Sequence, residues 1–216
     1  MNIAIYIYDN AEVLDFSGPY EVFSTASRVC ADGEPFNVFL IGETGETVTA
    51  RAGYSVNPDY GFYNHPPVDL LMVVGGVHDA ELKKPQVLDW LRTFSASAHM
   101  TTSVCTGAFI LAEAGILTDQ KVTTHWEDIP DLRQHYPKLD VVSDQRWVKD
   151  GSIMTSAGIT AGIDMSLSLV SLLHSQELAE KTARQMDFVW MQEPEQRRSS
   201  CREHLSNESE NMISYG

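Results

Sequence analysis

The chain has 216 residues, 43% of them hydrophobic, which is enough to bury one full α/β core. A formal net charge of −15 and a pI near 4.7 set its surface against polyanions and argue against nucleic-acid binding. Three cysteines at wide spacing without a CxxC, and seven histidines without HxxxH or HExxH spacing, supply neither a disulfide framework nor a metal site. Such cysteine usage fits a reducing cytosol. The N-terminus lacks the basic start and small-residue cleavage site of a secretory signal, and no apolar run is long enough to span a bilayer, so no membrane role is expected.

Ile3–Tyr8 reads as a first strand closed by the turn pair Asp9-Asn10. Ser17 then reads as the N-cap of a helix with Pro19 in its first turn. Phe36–Ile41 is a second strand. Val48 and Tyr54–Val56 suggest a short hairpin over the Gly45 and Gly53 turns. Asp69–Val74 is continuously apolar, the pattern of a strand covered on both faces, and ends at Gly75-Gly76. The spacing predicts a helix over Gln86–Ala98 with Val87, Trp90, Leu91 and Phe94 on one side.

Thr101–Val104 is a β-branched run that stops at Cys105, and a small-residue helix, Gly107–Ala114, starts directly after it and ends at Gly115. This is a strand-to-helix elbow with a thiol at its tip. The positive helix end and the unpaired N–H groups there favour thiolate, the reactive form. Further on, Glu127–Tyr136 reads as a helix, Val141-Val142 and Arg146–Val148 as a strand pair, and Ile153–Thr155 as a strand running toward Gly158. Thr160–Leu173 and Glu177–Trp190 read as two long helices. Strands alternating with helices indicate a doubly wound, mostly parallel α/β sandwich, whose ligands bind beyond the carboxyl ends of the strands. The domain is expected over 1–191, followed by a polar tail over 192–216.

Gly75-Gly76 after a buried strand, together with Ser103-Val104-Cys105-Thr106-Gly107 at the elbow, resembles the ThiJ/PfpI superfamily, of the class I glutamine-amidotransferase-like fold. Three further blocks narrow the match: Leu14–Pro19, Thr123-Thr124-His125-Trp126, and Ser156–Asp164. Together they resemble the isocyanide hydratase branch, and also the ligand-sensing domain of AraC-type regulators. The resemblance implies a cofactor-free cysteine chemistry and a homodimer. It matches Cys105 to the nucleophile, Thr106 to the threonine after it, and Asp15 to the acid beside the thiol. Proteases of the superfamily carry His after the cysteine. Thr106 stands there here, which argues against peptidase activity.

In that reading Cys105 adds to a small electrophile, an isocyanide as the leading substrate class, and Asp15 acts as general acid and base with its pKa raised by burial. N–H groups near Gly75, Gly76 and Thr106 are candidates to stabilise developing negative charge. Thr106 Oγ1 is a candidate to orient the thiolate or a water. Ile7, Val77 and Ile159 are candidates for an apolar lining, and His78 for a pocket-facing side chain. His125 is read as a packed loop histidine, and Cys30 and Cys201 as bystanders. Two other functions stay open: a detached ligand-sensing domain that binds without turnover, and a thiol sensor of oxidation.

Overall fold

A computed structural model describes residues 1–192; the polar tail, apart from its first residue, and Cys201 lie outside the described residues. In chain order the elements are β1 (Asn2–Tyr6), α1 (Val13–Val29), β2 (Asn37–Ile41), β3 (Val48–Ala50), β4 (Tyr54–Val56), β5 (Leu70–Val73), α2 (Pro85–Ser97), β6 (Met100–Val104) and α3 (Gly107–Glu113). They continue as β7 (Lys121–Val122), α4 (Ile129–His135), β8 (Asp140–Val141), β9 (Trp147–Asp150), β10 (Ile153–Ser156), α5 (Ala161–Leu173) and α6 (Gln176–Gln185).

The main sheet runs β2-β1-β5-β6-β10-β9, parallel except for the β9 edge. Its inner strands β5, β6 and β10 are buried along their whole length, as the uninterrupted apolar or β-branched runs require. Helices α1, α5 and α6 pack on one another as one layer, and α2 and α3 as another. The chain leaves β1 toward β2 on one side and later returns to β5 on the other. The topological switch point therefore lies between β1 and β5, beside the carboxyl end of β6.

Five features differ from the sequence reading. Helix α1 starts at Val13, four residues before Ser17. Glu12 caps it by donating its N–H to the Gly75 carbonyl at 2.9 Å, and Ser17 Oγ turns inward to Val13 O at 2.8 Å. Pro19 thus sits inside the helix. The earlier start matters, because it draws Asp15 into the buried first turn. Val141-Val142 does not pair with Arg146–Val148: β8 pairs in parallel with β7, and β9 forms a hairpin with β10. The loop is Gly151-Ser152, with Gly151 at φ 58°, a conformation that glycine adopts freely at the first position of a two-residue hairpin loop. The segment Glu127–Tyr136 opens as a 3-10 turn over Trp126–Asp128 before α4. Helix α6 stops at Gln185, because Asp187 takes φ 51° and turns Phe188 and Trp190 back onto the core. Gly45 precedes β3 and takes no part in the β3–β4 hairpin, whose turn is Arg51–Gly53.

Candidate functional site

Cys105 follows the last residue of β6 at φ 53°, a left-handed conformation that costs free energy for a side chain. Its surroundings over-determine it. Its N–H donates to Ser156 O at 3.1 Å, and its carbonyl accepts from Thr124 Oγ1 at 2.8 Å. The elbow comes close to β5: a Cβ on Gly75 would lie 2.5 Å from Thr106 N and 2.7 Å from Cys105 Cβ, so only glycine fits there. The thiol is 8% exposed and lines a pocket of about 500 Å³.

Asp15, carried by α1, is fully buried, and the Gly75 N–H donates to its Oδ2 at 3.1 Å. Its Oδ1 has no hydrogen-bond partner among the described residues, a costly arrangement for a carboxylate and a natural one for a protonated acid. Burial is the main cause that pushes its pKa up to about 7; the Glu12 charge adds to this, while the Gly75 N–H and the Cys105 thiol oppose it. Burial and the Asp15 charge push the Cys105 thiol well above its ordinary range, and the Thr106 N–H only partly offsets them. This corrects the expectation of a standing thiolate. Helix α3 is seven residues long, and its N-terminal field does not outweigh desolvation and a neighbouring carboxylate. Above about pH 7, Cys105 and Asp15 are best described as a pair holding one proton between them, and below it as a pair holding two.

The glycine pair is also corrected. The Gly75 N–H is committed to Asp15, and the Gly76 N–H donates to Thr106 Oγ1 at 3.0 Å. Thr106 Oγ1 in turn donates to Gly76 O at 3.0 Å, so its hydroxyl braces the elbow and does not face the thiol. At the elbow the Thr106 N–H addresses the sulfur. His78 and Ile159 line the pocket as expected of them, with the His78 ring 4.7 Å from that of Phe109. Val77 lines it from an exposed position. Ile7 does not: it is fully buried beyond β1 and hydrogen-bonds Ile41.

His125 departs from its reading as a packed loop residue. It lines the pocket, and a Cβ on Gly158 would lie 2.7 Å from His125 Cδ2 and 2.9 Å from Cys105 Sγ. Imidazole and thiol therefore face each other across Gly158. The His125 Nδ1 sits 3.3 Å from Asp128 Oδ2. Glu12, Arg51, Glu127 and Asp128 also line the pocket and were not singled out from sequence; only the Thr123–Trp126 block carried a signal toward this wall. Gly158→Ala is expected to block this gap. Alkylation of Cys105 should slow by roughly ten- to a hundredfold, while the melting temperature moves by only a few degrees. Rates of iodoacetamide labelling beside thermal melts check this, and unchanged labelling would show that Gly158 does not guard the thiol.

Among the described residues no group of three or more His, Cys, Asp or Glu is placed to hold a metal ion, and no helix is long and apolar enough to cross a membrane.

Comparison with known proteins gives this arrangement a context. The model of the DJ-1/PfpI family matches residues 1–172. The isonitrile hydratase of Pseudomonas putida is 33% identical over 191 residues, covering 88% of this chain and 79% of that protein. The regulator CdhR of Pseudomonas aeruginosa is 34% identical over 173 residues, 80% of this chain, but the match covers only 51% of the regulator. Among solved structures, a ThiJ/PfpI family protein from Pseudomonas syringae superimposes with a TM-score of 0.78 at 26% identity, over 98% of this chain and 85% of that one. Drosophila melanogaster DJ-1beta shares the fold, with a TM-score of 0.75 at 20% identity over 88% of this chain and 98% of that one.

Proposed function

Since the chain belongs to the DJ-1/PfpI family, we propose that it hydrates a small electrophile through Cys105, with an isocyanide as the leading substrate class and an N-formamide as product. The observation that carries the reading is the buried Asp15–Cys105 pair, a carboxyl with a pKa of about 7 beside a nucleophile of raised pKa at one end of an open pocket. Similarity to an isonitrile hydratase over most of both chains supports it.

An isocyanide carbon accepts a nucleophile and a proton at the same atom. The sulfur of Cys105 forms the C–S bond, and the one proton of the pair goes to that carbon, giving a thioimidate and leaving Asp15 as carboxylate. Asp15 then takes a proton from a water whose oxygen attacks the thioimidate carbon and passes that proton to the nitrogen. The C–S bond breaks, the formamide leaves, and the second hydrogen of the water restores the shared proton. One water is consumed and no oxidant or cofactor enters the balance.

The test is to mix the purified protein with an aryl isocyanide and follow formamide formation beside Cys105→Ala. Turnover by the parent and a loss of at least about a thousandfold in the variant is the expected result. No turnover by the intact, reduced protein would sink the reading.

A second reading is favoured by the match to CdhR, which is as close in identity as that to the hydratase although the chain spans about half of the regulator. In it the same pocket binds a small molecule without converting it. Saturable binding with no product, measured on the same compounds, distinguishes the two.

A further inference from the structure

The charges that face the pocket are unbalanced. Glu12 is held by Arg51, Nη1 to Oε2, at 3.2 Å, which offsets part of its charge. Asp79, Glu127 and Asp128 remain as lining carboxylates, and among the described residues no Lys or Arg lies within ion-pair distance of any of them. The nearest basic group is His125, whose Nδ1 is 3.3 Å from Asp128 and 3.9 Å from Glu127. A protonated His125 would cancel one of the three carboxylates at most. His78 is the other imidazole on the wall, and it sits against the Phe109 ring. Beneath them Asp15, once ionised above about pH 7, adds a further negative charge. The chain as a whole adds a background of −15. A concave site with one sign of charge concentrates ligands of the other sign.

We infer that the pocket selects a cation: the electrophile presented to Cys105 carries an ammonium or similar group that lies against Asp79, Glu127 and Asp128. The inference names the substrate class of the site proposed above and rests on Cys105 being the nucleophile of that pocket. It also has a kinetic consequence. Asp128 and Glu12 act through space to hold the thiol proton more tightly. A cation placed among these carboxylates opposes that field, so the correct substrate eases ionisation of its own nucleophile. An anionic electrophile would meet repulsion on approach and would strengthen the hold on the proton.

The experiment uses three methanethiosulfonates that differ in the charge of the group transferred: trimethylammonium-ethyl, methyl and sulfonato-ethyl. In each, the Cys105 thiolate attacks the sulfenyl sulfur, methanesulfinate leaves with the bonding pair, and a mixed disulfide forms. The protein carries Cys30→Ser and Cys201→Ser so that one thiol is read, and every rate is normalised to that of 2-mercaptoethanol. The expected order is cationic over neutral over anionic, with about tenfold or more between the extremes at low salt and a smaller ratio at high salt. In Asp79→Asn/Glu127→Gln/Asp128→Asn the cationic-to-anionic ratio should fall toward one, while the methyl reagent reacts faster because the hold of Asp128 on the thiol proton is gone. Equal normalised rates in the parent, or a ratio untouched by the triple substitution, would overturn the inference. Aminoalkyl and carboxyalkyl isocyanides form the second arm. If neither is hydrated while the reagent order holds, the hydratase reading fails and the charge selection stands.

Discussion

Asp15→Asn is expected to abolish isocyanide turnover and, at pH 8, to make the protein more stable. The two effects have one cause. Asp15 is fully buried, its Oδ1 has no partner among the described residues, and its pKa is pushed up to about 7, chiefly by burial. The folded state therefore binds this proton more tightly than the unfolded chain, whose carboxyl titrates near the ordinary 3.8. A raised folded-state pKa contributes stability that is fully present below the unfolded value and is lost as pH rises through the folded one. The window runs from 3.8 to about 7, with a slope of up to about 1.4 kcal/mol per pH unit. Relaxation around the buried charge reduces the total to the order of 2–4 kcal/mol. Asparagine keeps an acceptor for the Gly75 N–H and removes the charge. Melts of parent and variant should coincide near pH 4 and separate by roughly 5–10 °C at pH 8. Turnover should fall by about a thousandfold, since the amide can neither deliver nor remove a proton. A variant less stable than the parent at pH 8 would mean that Asp15 is held as a well-satisfied carboxylate, and the shared-proton mechanism would go with it.

The fold and the elbow that carries Cys105 were legible because each has a local signature. Uninterrupted apolar strands declare a parallel sheet, and a β-branched run meeting a small-residue helix at Cys105 declares the elbow. Gly75 was legible as a turn but not as the residue on which any Cβ would lie 2.5 Å from Thr106 N. The role of Gly76 and Thr106 was misplaced for a related reason. Which N–H groups stay free depends on long-range partners: Gly75 and Asp15 are 60 positions apart, and Gly76 and Thr106 are 30 apart. The thiol's ionisation was misjudged because a helix terminus is visible in sequence and desolvation is not. The right wall of the pocket was least legible. His125 faces Cys105 only because β10 delivers Gly158, with no side chain, between them. Arg51 reaches the pocket from a hairpin turn whose sequence carries no functional mark.

Asp164 lies in the last of the sequence blocks that drew attention, and its role appears only in three dimensions. It is fully buried on α5 and accepts from Arg146 through Nε at 2.7 Å and through Nη2. Its other oxygen accepts the Met191 N–H at 2.8 Å. Arg146 also reaches Thr160 Oγ1 at 3.3 Å, and its carbonyl accepts the Ala157 N–H at 2.8 Å. One carboxylate thus ties the segment after α6 to the loop that carries Gly158 and Ile159 into the pocket. Burial still leaves the Asp164 pKa raised although the guanidinium, with the Met191 N–H, acts to lower it, so the ion pair does not fully recover its desolvation cost. Removing one partner is then worse than removing both. Asp164→Ala takes from Arg146, its side chain only 19% exposed, the carboxylate that neutralises it and leaves the 3.3 Å contact to Thr160 Oγ1. It should cost about 3–5 kcal/mol, a fall in melting temperature of roughly 10 °C. Arg146→Met/Asp164→Leu should recover a substantial part of that loss. Hydrogen exchange should rise at Met191 and Ala157 in the single variant before it rises in β6. A loss below about 1 kcal/mol would place the pair among solvated surface bridges and remove its hold on the pocket loop.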